Sequence, residues 1–216
     1  MLKPGDSWTY KLTEERAPSN WVQSRNDFVV ERITASAIYF TVKQSGSTQI
    51  PREILSGPDW SRMRDVNGKE TVVNQPFAFP LTVGKTWEIK YTELNPNKGH
   101  KSEQWSHKYT VVGYEMVEVP AGKFNALKIE SEGRWTAQME PGQSVVQEAQ
   151  TSSNSTAMVT KIDRASDKPV SGRTYKAFWY VPEVRRWVKS VEEFYSSGGV
   201  RSERSASELE SFKLNE

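Results

Sequence analysis

No cysteine occurs anywhere in the 216 residues. Disulfides, thiolate metal sites, cysteine nucleophiles and an in-chain lipid-modified cysteine are thereby removed, although the redox compartment is not decided. Histidine is scarce too, with two copies, so imidazole chemistry must fall on His100 or His107. No run reaches the roughly 18 apolar residues of a membrane-crossing helix, so contact with a membrane is peripheral at most. The opening Met-Leu-Lys-Pro-Gly-Asp lacks the hydrophobic region of a signal peptide. Strong charge is missing as well. Lys and Arg number 29 against 27 Asp and Glu, a formal charge of +2, and the basic residues are scattered among acids, which argues against a nucleic-acid partner. No convincing amphipathic helix is found.

Aromatic side chains are plentiful: 8 Trp, 8 Tyr and 8 Phe. They bury much apolar area per residue and suit strands. A hydrophobic fraction of 36% can therefore supply a core without cross-links, and the length fits one all-β domain over residues 1–216.

The clearest local pattern is Tyr109 to Trp135. Two runs rich in Val, Tyr, Phe and Ile flank Val119-Pro120-Ala121-Gly122-Lys123, which predicts a long β-hairpin. Ser7 to Thr13 alternates, with Trp8, Tyr10 and Leu12 on one face, and Thr86 to Thr92 does the same with Trp87, Ile89 and Tyr91. Trp21 to Ile33 and Ala37 to Gln44 read as further strands. Gln49 to Leu55, interrupted by Pro51, reads as an edge strand. Asn67-Gly68 predicts a type I′ turn joining Ser61–Val66 to Lys69–Val73. Asn95 to Glu103 reads as a loop. Thr174 to Val181 is apolar or aromatic on both faces, so it belongs near the centre of a sheet, and Trp187 to Tyr195 and Arg201 to Leu214 follow as strands. Between them, 141–169 reads as an exposed polar excursion.

One echo crosses the chain. LKPGDSWTYKLTE from Leu2 matches LTVGKTWEIKYTE from Leu81 at an offset of 79, sharing Leu, Gly, Trp, Lys, Thr and Glu. It predicts two similar halves, residues 1–75 and 80–135.

The candidate sites are few. His100, Glu103 and His107 would share one face of a helix as a zinc set with an open position, but Pro96, Gly99 and the alternation of Trp105, His107 and Tyr109 favour a strand, so the three are a weak metal candidate. No G-x-S-x-G elbow and no Gly-rich phosphate loop before a helix is present, and no cofactor is expected. Arg185 and Arg186 beside Trp187 could clamp a carboxylate, phosphate or sugar acid, or simply pack Arg over Trp. Trp21 and Trp60 lie near loops, where exposed rings could serve a sugar; the other Trp residues fall at strand positions expected to pack.

FPLTVGKTW from Phe79, VEVPAGKFNALKIE from Val117 and WYVPEVRRWVKSVEEF from Trp179 resemble exported β-proteins of Gram-negative bacteria with no established function. Their shared features are a VPAG-x-F hairpin and a WY-x-P strand. The chain is also similar in architecture to lipoprotein-carrier (LolA-like) half-barrels, curved sheets that hold acyl chains. This implies a periplasmic or envelope setting with a leader removed upstream of Leu2, and no catalytic residues. The expectation is a single large curved antiparallel sheet or open half-barrel of about 10–12 strands. Its concave aromatic face would bind a lipid or other amphipathic small molecule, or an envelope protein. A carbohydrate-binding module is the alternative, and a metal-dependent hydrolase around His100, Glu103 and His107 the third reading.

Overall fold

A computed structural model describes residues 2–16, 20–97, 99–140 and 169–216. The polar excursion at 141–169 lies outside these except for its last residue. Twelve strands are formed: β1 (Ser7–Arg16), β2 (Asn20–Ile33), β3 (Ile38–Gln44), β4 (Arg52–Ser56), β5 (Arg62–Val66), β6 (Lys69–Asn74), β7 (Thr86–Asn97), β8 (His100–Val119), β9 (Gly122–Met139), β10 (Val170–Val181), β11 (Arg186–Ser196) and β12 (Arg201–Lys213). Among the described residues the only helical turn is a short 3₁₀ segment, Pro182–Val184.

Ten of the strands make one antiparallel sheet in the order β4-β3-β2-β1-β12-β11-β10-β9-β8-β7, open at β4 and β7. The expected hairpin is β8 and β9, turning at Val119 to Gly122. The strand expected over Gln49 to Leu55 is the β4 edge, which begins at Arg52, just after Pro51. The Asn95–Glu103 segment is not a loop: β7 and β8 continue through most of it, because cross-strand pairing outweighs its polar local sequence.

The sheet is strongly curved. Phe40 on β3 and Trp187 on β11 are four strand spacings apart, about 19 Å on a flat sheet. Yet the Arg186 guanidinium touches both rings, at 5.7 and 4.3 Å.

The turn that opens each echo segment is built twice. Gly5 and Gly84 both sit at φ +84, a conformation that favours glycine. Gly5 N–H donates to Val30 O at 2.7 Å and Val30 N–H to Asp6 O at 2.9 Å; Gly84 N–H donates to Val111 O at 2.8 Å and Val111 N–H to Lys85 O at 2.9 Å. A bulge follows Val30 in β2, and another follows Val111 in β8. The two segments thus share a glycine turn and a bulge in the partner strand.

Among the described residues no helix fills the concave face. Instead the chain between β4 and β7 folds over it, with β5 and β6 as a separate two-stranded sheet around Asn67 at φ +57 and Gly68 at φ +79. Arg64 pairs with Glu93 of β7, and the Asn67 amide bonds Thr92 O at 2.7 Å. Beneath this cover, Trp60 meets Trp8, Phe40 and Trp187, and Phe77 meets Phe178, Tyr180 and Trp187. The tip of the β8–β9 hairpin docks on β12, where Ala121 N–H donates to Leu209 O at 2.9 Å.

Candidate functional site

Antiparallel register places concave-face residues in rows across the sheet, and two rows decide where space remains. One runs Tyr91, Trp105, Trp135, Gly172, Ser196 across β7 to β11. Three large rings are followed by a glycine and a serine, so side-chain volume falls abruptly at β10. A Cβ at Gly172 would stand 2.5 Å from Trp135 Nε1 and against the Tyr195 carbonyl. The Trp135 indole therefore leans across β10 toward β11. The neighbouring row runs Ile89, His107, Gly133, Thr174, Phe194, Glu203. Here Gly133 makes room for the His107 imidazole and the Thr174 hydroxyl.

The drop in volume leaves a cleft of about 310 Å³. Trp105, Trp135 and Phe194 line it with Glu203, Ser196, Ser202 and the His100–Glu103 pair; Tyr195 borders it as well, but its hydroxyl donates to Glu193 on the other face of β11. The Trp rings are nearly parallel, 6.0 Å apart between centroids at 28°, and His100 continues the stack 6.3 Å from Trp135. Such offset stacks add to the burial energy of the rings. Glu103 fastens the assembly: Oε1 accepts from His100 Nδ1 at 2.5 Å and Oε2 from Trp105 Nε1 at 2.9 Å. Among the described residues, the cleft is lined by carboxylates, hydroxyls, one imidazole and aromatic faces, with no Lys or Arg.

Deeper under the hairpin lies a polar seam. Lys176 reaches Asn74 Oδ1 at 3.0 Å and Glu192 at 3.7 Å, and Tyr109 OH donates to the same Asn74 oxygen at 2.8 Å. Burial pushes the Lys176 pKa down and the Tyr109 pKa up. His107 is 2% exposed, with Thr174 Oγ1 3.3 Å from its Nδ1. Burial, then the charge of Lys176, lowers its pKa to about 4, so it stands neutral at physiological pH.

His100 and Glu103 meet, but His107 does not join them. Its ring packs on the far side of Trp105, at 6.0 Å. Among the described residues no three His, Cys, Asp or Glu side chains could hold a metal ion together. Trp60 is 7% exposed and is a packing residue, whereas Trp21 is 63% exposed. Trp21 pairs with Glu15 near one end of β1, while Arg185 binds Asp6 just before the other end, so they do not form one site. Arg185, at φ +61, places Nη1 2.9 and 2.8 Å from the two oxygens of the fully buried Asp6 carboxylate. Arg186 is enclosed by the rings of Trp8, Tyr10, Phe28, Phe40, Trp60 and Trp187, at 4.3 to 5.7 Å. Its Nε and Nη1 have no hydrogen-bond partner. Burial lowers its pKa to about 10, so it keeps its charge.

Trp105, Trp135, Phe194, Tyr195 and Glu203 were not legible as site residues. Alternation places Trp105 and Trp135 on a packed face, and only the strand register reveals Gly172 beside them.

No family model matches the sequence, and no curated protein does. Among solved structures the chain is similar to a candidate exported protein with YMCC-like fold from Bacteroides fragilis, with 16% identity, 98% of this chain and 97% of that one covered, and a TM-score of 0.45. A candidate lipoprotein from Parabacteroides distasonis gives 16% identity, coverages of 98% and 96%, and a TM-score of 0.47. A LolA superfamily protein from Nitrosomonas europaea gives 9% identity, coverages of 100% and 89%, and a TM-score of 0.28. At these values no residue role is carried over, and the cleft is argued from its own side chains.

Proposed function

We propose that this is a non-enzymatic envelope β-protein that holds an amphipathic small molecule by its apolar part in the cleft bordered by Trp105, Trp135 and Phe194. The observation that carries the reading is the row of rings broken at Gly172. Elsewhere the described concave face is filled by the chain's own side chains, whereas here, among the described residues, aromatic side chains border open space. A cleft with apolar walls and few polar groups suits a small ligand of mixed character. The His100–Glu103 pair engages the Trp105 indole and no hydroxyl nucleophile, which supports a binding role over a hydrolytic one. The envelope setting rests on the sequence resemblance and is tested by fractionating cells that express the gene with its own upstream region.

A carbohydrate is the second reading, because indole faces beside carboxylates also suit a sugar ring. Titration of intrinsic fluorescence with decyl maltoside below its micelle concentration, and in parallel with maltose, separates the two. The amphiphile reading expects decyl maltoside to bind, maltose alone to leave the signal unchanged, and Trp135→Leu to abolish the response while Trp21→Leu preserves it. Equal binding of maltose would replace it with the sugar reading. A response that survives Trp135→Leu would place the ligand elsewhere.

A further inference from the structure

The charges around the cleft select a head group. We infer that the cleft takes an organic cation, an ammonium head on an apolar chain; this rests on the amphiphile-binding reading and adds the class of ligand. Indole faces are the strongest side-chain partners for an ammonium ion, and a quaternary ammonium between aromatic walls is a recurrent recognition mode. Trp105 and Trp135 supply those faces at the cleft. Two carboxylates stand beside them. Glu103 is held in place by the donors on its two oxygens, so its negative end cannot swing away. Glu203 lies across the cleft, and its charge partner among the described residues is Arg16, 3.6 Å away with a side chain 67% exposed.

Among the described residues, the cation nearest the cleft is the exposed Arg16 on Glu203, and the others are occupied elsewhere. Arg201 and Arg204 bond Glu15 and Glu193. Lys176 is engaged by Asn74 and Glu192 under the hairpin. Among the described residues, a sulfate or carboxylate head would therefore meet two carboxylates and only the exposed Arg16, which Glu203 already holds, leaving its desolvation poorly matched. A neutral sugar head would stack on the rings but gain nothing from the charges. An ammonium head gains from both.

The test compares three decyl amphiphiles below their micelle concentrations at low salt: decyltrimethylammonium, decyl maltoside and decyl sulfate. Binding is read by tryptophan fluorescence and calorimetry, with circular dichroism confirming that the fold survives. The ammonium compound should bind about tenfold or more tighter than the sulfate, a preference of the size expected for cation–π contact plus one carboxylate. Glu203→Gln should shrink that preference severalfold. Added salt should reduce the preference, because Glu203 is partly exposed. If the sulfate binds as tightly as the ammonium, or Glu203→Gln leaves the preference as it was, the cation assignment falls while amphiphile binding stands. If none of the three binds, the binding reading falls with it.

Discussion

The Trp135 indole lies across Gly172, with Nε1 2.5 Å from the point where a Cβ at that glycine would begin. The two residues are register partners on β9 and β10, and the cleft owes its existence to the absence of a side chain on one of them.

Gly172→Ala should therefore act on stability and binding together. The methyl must displace the indole and also meets the Tyr195 carbonyl, which as backbone yields little. Overpacking of this kind costs about 1–3 kcal/mol. Urea denaturation should show the loss, and decyl maltoside affinity should fall as Trp135 moves. Unchanged affinity with reduced stability would detach the glycine from the cleft.

Arg186 offers a sharper stability test. Its guanidinium is fully buried with two N–H groups unpaired, and burial depresses its pKa to about 10. Each unsatisfied polar group costs about 1–3 kcal/mol, against roughly 2 kcal/mol for a desolvated cation–π contact. Arg186→Met keeps most of the volume and removes the charge, so the urea midpoint should hold or rise. Arg186→Ala, which opens a cavity among six rings, should lose about 3–5 kcal/mol. A fall with Met as large as with Ala would show that the rings depend on the cation.

Asp6 and Arg185 join the start of β1 to the turn before β11. The buried carboxylate also accepts from Lys3 N at 2.8 Å and Asn215 N at 2.9 Å, so both ends of the chain converge on it. Breaking one partner of such a pair costs about 3–5 kcal/mol, because the remaining charge is left without compensation. Asp6→Asn should lower the melting temperature, and amide exchange should rise at the first residues of β1 and the last of β12. Protection unchanged at those positions would refute the clasp.

His107 predicts a pH dependence. Its folded pKa of about 4 lies below the ordinary histidine value of 6.5, so between these values the unfolded chain binds a proton that the folded chain refuses. Stability should be full above about pH 6.5 and fall as pH drops toward 4, by up to about 3 kcal/mol at one pKa unit per 1.36 kcal/mol. Asn74, Thr174, Lys176 and Glu192 form the surrounding polar seam. Chemical denaturation across this range should show the slope, and His107→Gln should flatten it. A wild-type profile equal to that of the variant would assign the acid sensitivity to other groups.

Much of the framework was legible beforehand. Alternation at Trp8-Tyr10-Leu12 and Trp87-Ile89-Tyr91, the Asn67-Gly68 turn and the Val119 to Gly122 hairpin are local signals, each written in a few consecutive residues, and each became a strand or turn close to its expected bounds. The loop reading of Asn95 to Glu103 failed because polar composition mimics a loop when the partner strand is unseen. The site was barely legible. His100 and Glu103 were singled out, but as parts of a metal set that His107, buried behind Trp105, does not complete.

The sequence by itself determined an all-β chain, its main strands, its aromatic wealth and its repeated Gly-Trp entry, because period and turn chemistry act over a few residues. Only the tertiary structure decided that Trp60 is core, that Arg186 is enclosed by rings, and that the cover of the concave face is a hairpin. It also decided the cleft. A gap requires knowing which residue stands beside which across five strands, and register between residues as distant as Tyr91 and Ser196 is set by packing of the whole sheet.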